Sequence, residues 1–543
     1  MDKDRDDKSQ VEIGGHEISK ERLSVDEFLD RVGQCGFYQI RTQLIFLLFM
    51  LPLTYQVMIM YFVADNPPWF CKNGSKECHM KGLIASHDSK MFQKRCKLRQ
   101  GSWEYSKPKN YSIVTEFNLV CQKEVIVYTA NSILFLGWTV GGFVLPYLSD
   151  RFGRKTVLFP AAFVIIICGF LSSFVHDMWI FILLRLIIGF CQAGSVNIFV
   201  IATEIVGPYY RSISGTFIWF YFTCALLLMT LKAYYLQNWR NLEIICSLPF
   251  AVIMLSWRYV PESVRWLRMK GRLDEAMQVL KEIARANKRD ISNMEIIPVE
   301  NNFNSKSTIA DLFRSPVLAL YTAIQIFAWL VSGITFYGVS LASSDLGGDL
   351  YVDFILTSIV EIPANILVII FTNKCGRRLT TVINIFLAGF ACIGVAAVPS
   401  GVISKGLKFA KVGLGMLGKF AVTLYFNAFY VWSAELNATV VRAQAVGILI
   451  AASRVGAAMS PFVMTGLKYV NASLPFALIG ILNLLAGCFC LYLRETKGIE
   501  VPDTIEDCLK LLHQGGKNPS GENKSVSIDS MPCLDLKSRL GSH

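Results

Sequence analysis

Two ionisable residues stand deep inside apolar runs of the C-terminal half: Glu361 in 356-LTSIVEIPANILV-368 and Arg454 in 443-AQAVGILIAASRVGAAMSPFV-463. A central arginine costs about 2.5–3.5 kcal/mol on insertion scales, so it should face protein or a water-filled path and have a partner or a task. Opposite signs at two such positions suit recognition of charged groups in a small solute. Bond-making chemistry has no comparable support. The chain shows no P-loop, no nucleophile triad and no paired catalytic carboxylates. The run 413-GLGMLG-418 matches G-x-G-x-x-G, but no strand precedes it and it falls in an apolar run, which excludes a dinucleotide site. No cofactor, metal, nucleotide or nucleic-acid partner is implied.

Around these charges lie many rings, among them Phe199, Trp219, Phe220, Tyr221, Phe222, Trp329, Phe336, Tyr337, Tyr425, Phe426, Phe429 and Tyr430. Most must pack or face lipid. A subset lining a cavity would offer an amine a cation–π surface worth about 0.5–2 kcal/mol per ring.

The elements that must position these residues are membrane spans. The 543 residues are 53% apolar and only 17% charged, with mean hydropathy +0.43, which is a membrane composition. Runs near the ~20 residues needed to cross the hydrocarbon core occur at about 42–64, 125–148, 157–175, 178–202, 213–236, 241–260, 317–340, 350–372, 380–399, 408–434, 443–467 and 472–493. We therefore expect an all-α membrane protein with twelve transmembrane helices. The polar N-terminus, 1–41, holds no cleavable signal and carries 24-SVDE-27, a capping-box pattern.

The net charge of +12 is explained largely by topology. With the N-terminus inside, the short inner loops receive Arg151, Arg154, Lys155, Arg211, Lys374, Arg377, Arg378 and Arg442, while the outer loops near 176 and 345 have no Lys or Arg. Both termini are expected to be cytoplasmic. The segment 65–124 is the long outer loop. It holds Cys71, Cys78, Cys96 and Cys121 of the fifteen cysteines, beside sequons at Asn73 and Asn110. An even cysteine count in an oxidising compartment reads as two disulfides, with three connectivities open. A zinc site from Cys78, His79, His87 and Cys96 is the alternative, with spacings that fit no common pattern.

The two halves repeat. 150-DRFGRK-155 corresponds to 373-NKCGRR-378, and 203-TEIVGPYYR-211 to 434-AELNATVVR-442; Glu204 and Glu435 are 231 residues apart, Arg185 and Lys419 234, and 261-PES-263 and 494-RET-496 233. Several pairs in one order at nearly constant offset mean a duplicated six-span unit. The expected bundles are 42–260 and 317–494. They are joined by a cytoplasmic linker, 261–316, with an amphipathic helix over 272–290 and ten Lys and Arg residues, and followed by a tail over 495–543.

Duplicated six-span halves with a D-R-x-G-R-K loop resemble the major facilitator superfamily. The cysteine-bearing loop closing in 112-SIVTEFNLVC-121, with 261-PESVRWL-267 and 495-ETKGIEVPDTIED-507, resembles the organic ion transporter family, solute carrier family 22, over about residues 30–507. The stretches 340-SLASSDLGGDLYVDFILTSIVEIP-363 and 454-RVGAAMSPFVMTGLKY-469 are most similar to its carnitine-related, zwitterion- and cation-carrying branch. One departure is Pro146, where the family usually has Gly ahead of the loop motif.

The resemblance implies the major facilitator fold and a plasma-membrane carrier of small organic ions, zwitterions or cations such as carnitine- or betaine-like solutes. It would work by alternating access, as facilitated diffusion or exchange, with the single chain as transport unit. It also implies substrate contacts at Glu361, Arg454, Phe199, Phe222, Phe336, Tyr337 and Tyr425. Gating ion pairs are expected at Asp150, Arg151, Arg154, Glu204, Arg211, Arg377, Arg378, Glu435 and Arg442, holding the outward-open state together. Glu361 belongs with cation carriers of this family and Arg454 with anion and carnitine carriers. The pair therefore either addresses the two ends of a zwitterion or forms a salt bridge with itself. Arg185 and Lys419 are expected to be scaffold charges. An anion exchanger using Arg454, a sugar porter and a transport-inactive receptor are the rival readings.

Overall fold

The computed structural model describes residues 21–509 apart from 73–77, 79–81, 85–88, 100, 292–293, 299–311, 342–348, 400–404, 439–440, 472, 499–501, 503–505 and 507. Eleven of its helices are long and apolar enough to cross a membrane: Phe37–Val63, Cys121–Phe152, Arg154–Ser172, Met178–Glu204, Pro208–Tyr235, Trp239–Arg258, Pro316–Leu341, Leu350–Cys375, Arg377–Ala397, Gly406–Leu436 and Gln444–Gly466. The shorter apolar helix Leu474–Cys490 completes twelve, numbered here span 1 to span 12. The G-x-G-x-x-G stretch lies within the uninterrupted helix of span 10.

Span 8 is interrupted where its chemistry sits. Its helix stops at Ile359 and resumes at Glu361, two residues before Pro363. Proline supplies no N–H to the carbonyl four residues earlier, so the ladder opens beside Glu361. Spans 7 and 11 cross with little between their backbones. A Cβ on Gly333 would lie 2.0 Å from the Ser453 carbonyl oxygen and one on Gly456 2.1 Å from that of Leu330, so only glycine permits this approach. The crossing places Tyr337, one turn beyond Gly333, beside Arg454. Gly137 and Gly141 serve span 2 against span 4 in the same way, whereas Gly142 meets nothing within 4 Å.

The loop between spans 1 and 2 has its own small core of Trp69, Cys78, Ile84 and Phe92, and an antiparallel strand pair, Trp69–Cys71 with Trp103–Tyr105. Disulfides join Cys71 to Cys78 and Cys96 to Cys121. This settles the connectivity and removes the zinc alternative, because Cys78 and Cys96 are bonded elsewhere; His79 and His87 lie outside the described residues. Asn110 is exposed, and Asn73 is likewise outside the described residues. The end of the bundle carrying this loop is called the outer end below.

At the inner end, Ser24 and Glu27 form the capping box that starts the helix Val25–Val32. Its Phe28, Leu29 and Val32 pack with Leu280, Ile283 and Ala284 of the amphipathic helix Leu273–Ala286. Asp26 pairs with Arg211 and lies 2.5 Å from an Arg265 nitrogen. Burial pushes the Asp26 carboxyl up, but bonds and charge from Arg211 and Arg265 prevail and hold it below its usual range.

The repeat is visible atom by atom at this end. Gly153 and Gly376 both have positive φ, +112° and +95°, and a Cβ there would strike the carboxylates of Glu262 and Glu495 at 2.3 and 2.5 Å. Those carboxylates accept from the first N–H groups of spans 3 and 9: Arg154 N to Glu262 Oε1 at 2.9 Å, Arg377 N to Glu495 Oε1 at 2.9 Å, and Arg378 N to Glu495 Oε2 at 3.1 Å. Each acid thus caps a helix N-terminus, where backbone donors are unpaired and the dipole is positive.

A candidate binding site at the centre of the two halves

The deep charges of the C-terminal half are paired differently from the sequence-level expectation. Glu361 Oε1 lies 2.9 Å from Lys419 Nζ, and both side chains are 3% exposed. The contact is an ion pair by distance, although Oε1 lacks a partner at hydrogen-bonding angles. Lys419 also donates to Ser340 Oγ at 2.8 Å and sits 3.5 Å above the Phe336 ring. Glu361 Oε2 accepts from Thr223 Oγ1 of span 5 at 3.1 Å. Lys419 is therefore part of the central cluster rather than remote scaffold, and the salt bridge between Glu361 and Arg454 is not the one formed.

Arg454 donates through Nη1 to the Tyr337 hydroxyl at 2.7 Å, and its guanidinium lies 3.7 Å over the indole of Trp138 in span 2. Its Nε is buried with no hydrogen-bond partner. Among the described residues no carboxylate stands within ion-pair distance of it. Both C-terminal charges thus touch the N-terminal half, Glu361 through Thr223 and Arg454 through Trp138. The cluster lies at the interface of the two bundles.

Rings surround it. Phe336 stacks on Phe426 at 5.4 Å between centroids and meets Tyr337 at 5.2 Å. Tyr337 is edge-on to Phe135 at 4.5 Å. Trp219 of span 5 reaches Phe426 at 6.3 Å and Tyr430 at 6.1 Å, and Phe222 follows Trp219 at 6.4 Å. Of the proposed substrate contacts, Phe336, Tyr337, Glu361 and Arg454 converge, with Phe222 at the margin.

Tyr425 and Phe199 do not join them. Tyr425 donates to Asn483 Oδ1 of span 12 at 3.1 Å, and Asn483 donates to Thr335, inside the C-terminal bundle. At about 100° per residue, Tyr425 stands on a different helix face from Lys419, Phe426 and Tyr430. Phe199 is 47% exposed and packs beside Gly215 of span 5. The residues missed were Trp138, Thr223 and Ser340, which carry no charge and look like ordinary span residues. Phe426 and Tyr430 shared the spacing i, i+7, i+11 with Lys419, which was the available signal.

The N-terminal half holds a second buried polar group. Arg185, 0% exposed, donates to the Gln56 carbonyl at 2.7 Å, and the Gln56 side chain donates to Glu243 at 3.0 Å. Glu243, also 0% exposed, and Asp353, 3%, are further acids buried in the spans besides Glu361.

The gating candidates form clusters inside each half. Arg154 pairs with Asp150 at 2.9 Å, and Glu204 accepts from Ser263. Arg377 pairs with Glu435 at 3.1 Å, and Glu435 accepts from Thr496 at 2.5 Å. Arg211 goes to Asp26, Arg442 donates to the Asn437 carbonyl at 3.5 Å, Arg378 to that of Leu491, and Arg151 lies over the Phe152 ring. In this structure, with its outer end closed, these partners belong to the same half, or to the N-terminal segment docked on it. The reason is the capping demand of spans 3 and 9, met by the acids that follow spans 6 and 12. Contacts between halves instead cluster at the outer end, in Tyr61–Phe354 at 4.4 Å, Phe62–Tyr351 at 5.8 Å and Tyr128–Phe462 at 6.2 Å. The outer end is closed.

Comparison with known proteins agrees with this architecture. The chain matches the sugar (and other) transporter family over residues 90–504. It is 32% identical to solute carrier family 22 member 3 of Mus musculus, covering 77% of this chain and 76% of that one. It is 33% identical to organic cation/carnitine transporter 2 of Homo sapiens, covering 79% and 78%. Among solved structures, the inward-open xylose transporter of E. coli superposes with TM-score 0.58 at 15% identity, over 87% of this chain and 99% of that one.

Proposed function

The chain belongs to solute carrier family 22, the organic ion transporters of the major facilitator superfamily, and from that premise we propose that it carries small zwitterions bearing a carboxylate and an ammonium. It is a multi-pass membrane transporter of small organic solutes rather than an enzyme. The observation that carries the finer reading is the unequal state of the two deep charges. Glu361 has Lys419 as a counter-ion, whereas Arg454, among the described residues, has only a phenol and an indole. A desolvated guanidinium without a counter-charge is costly, and a substrate carboxylate would relieve that cost with charge-assisted bonds.

The ammonium end is accommodated by Phe336, Phe426, Tyr430 and Trp219, whose faces attract a cation. Carnitine- and betaine-like solutes fit this pattern, in agreement with the name of the human relative. Alternating access moves the two bundles about the site, by facilitated diffusion or exchange, in the plasma membrane with both termini cytoplasmic. The single chain is the transport unit. An organic cation is the second reading, favoured by the rings and by Glu361 if Lys419 swings away.

Uptake into proteoliposomes of a quaternary ammonium, a dicarboxylate and a betaine-like zwitterion tests the assignment. The Arg454→Gln variant should lose at least about tenfold in zwitterion uptake, about 1.4 kcal/mol, and less for the quaternary ammonium. Preference of the parent protein for the dicarboxylate, or an equal fall for both probes in a folded variant, would overturn it.

A further inference from the structure

At the closed outer end lies a cavity of about 210 Å³, beneath the disulfide-bonded loop. It draws on both halves: Asp65 just after span 1, Glu124, Tyr128 and Asn131 from span 2, Thr465 at the end of span 11 and Lys468 just past it, and Arg95 from the loop. Arg95 is unusual for a loop cation, being only 4% exposed. Its guanidinium lies 4.2 Å from the centre of the Phe92 ring and 5.5 Å from that of Trp103, and both Nε and Nη1 are buried without a hydrogen-bond partner.

The position of Arg95 is enforced. It precedes Cys96, whose disulfide to Cys121 ties this stretch to the start of span 2, three residues before Glu124. Glu124 acts on Arg95 through space, but among the described residues no carboxylate lies within ion-pair distance of it. The other acid of the cavity, Asp65, accepts from the Tyr111 hydroxyl at 3.0 Å. A buried cation held against rings, with donors unused and a cavity in front of it, lacks an acceptor oxygen that a ligand can bring.

We propose that this cavity is a carboxylate-binding site for a small organic ion, distinct from the central cluster, with Arg95 as its anchor and Lys468 as its second cation. It takes residues from both bundles and is complete only with the outer ends together. The central residues Glu361, Lys419 and Arg454 are not among its lining.

The test is calorimetric titration of the purified full chain in lipid nanodiscs with succinate. Binding that persists in Arg454→Gln, where the central guanidinium is gone, and that weakens at least about tenfold when Arg95→Gln is added, as expected for loss of a charge-assisted contact, supports the site. Lys468→Gln, at the cavity rim, should weaken binding several-fold and covers the case in which Arg95→Gln misfolds. Absence of binding by the parent protein overturns the proposal. So does binding lost in Arg454→Gln but retained in the Arg95 and Lys468 variants, because the carboxylate would then occupy the central cluster.

Discussion

Removing Lys419 isolates the energetics of the central cluster. The ammonium is 2.9 Å from Glu361 Oε1 and 2.8 Å from Ser340 Oγ, with both members of the ion pair 3% exposed. Lys419→Met keeps the stem volume and deletes the charge, leaving a buried carboxylate held, among the described residues, by the Thr223 hydroxyl. Breaking one side of a buried pair costs about 3–5 kcal/mol, whereas replacing both partners by groups of similar shape is often nearly neutral. The double variant Glu361→Gln with Lys419→Met should therefore recover most of the loss, giving a coupling of about 3 kcal/mol. Equilibrium unfolding of the single and double variants in mixed lipid and SDS micelles measures it. If the double variant costs as much as the two singles together, the residues are not energetically paired and the charge assignment at Arg454 loses its contrast.

Two further outcomes follow from the inner end. Glu262→Gln should impair folding or turnover more than Asp150→Asn, because Glu262 caps span 3 through backbone donors while the 71%-exposed Asp150 makes a surface pair with Arg154, of the kind worth about 0–1 kcal/mol; surface abundance and uptake of the two variants decide, and equal effects would contradict it. Asp26 has its folded pKa depressed, so its contribution to docking of Val25–Val32 is present above the ordinary carboxylate pKa of about 3.9 and is lost as pH falls through the lower folded value. Hydrogen exchange across that helix, corrected for intrinsic rates, should rise only below that range, and Asp26→Asn should show the raised exchange at neutral pH.

Several parts of this molecule were legible from the chain alone because they depend on local composition and spacing. Apolar run length gave the spans, to within a few residues at most ends; the capping box at Ser24 and Glu27 and the face of Leu273–Ala286 followed from helical period. The repeat offsets anticipated that Glu204 and Glu435, and Glu262 and Glu495, occupy equivalent places. The residue types of the site were legible too, since Glu361 and Arg454 are conspicuous in apolar surroundings.

Partner choice was not legible. Glu361 meets Lys419 because spans 8 and 10 are neighbours in one bundle, and Arg454 meets Trp138 because span 11 crosses span 2 of the other. Tyr425 left the site for Asn483 by a rotation of about 100° about its helix axis relative to Phe426. Arg95 was one loop cation among many until the Cys96–Cys121 bridge buried it. A sequence records which side chains must be kept from lipid, through transfer cost and periodicity. Which of them come within ~3 Å of each other depends on helix azimuth and crossing, and only the packed bundles determine those.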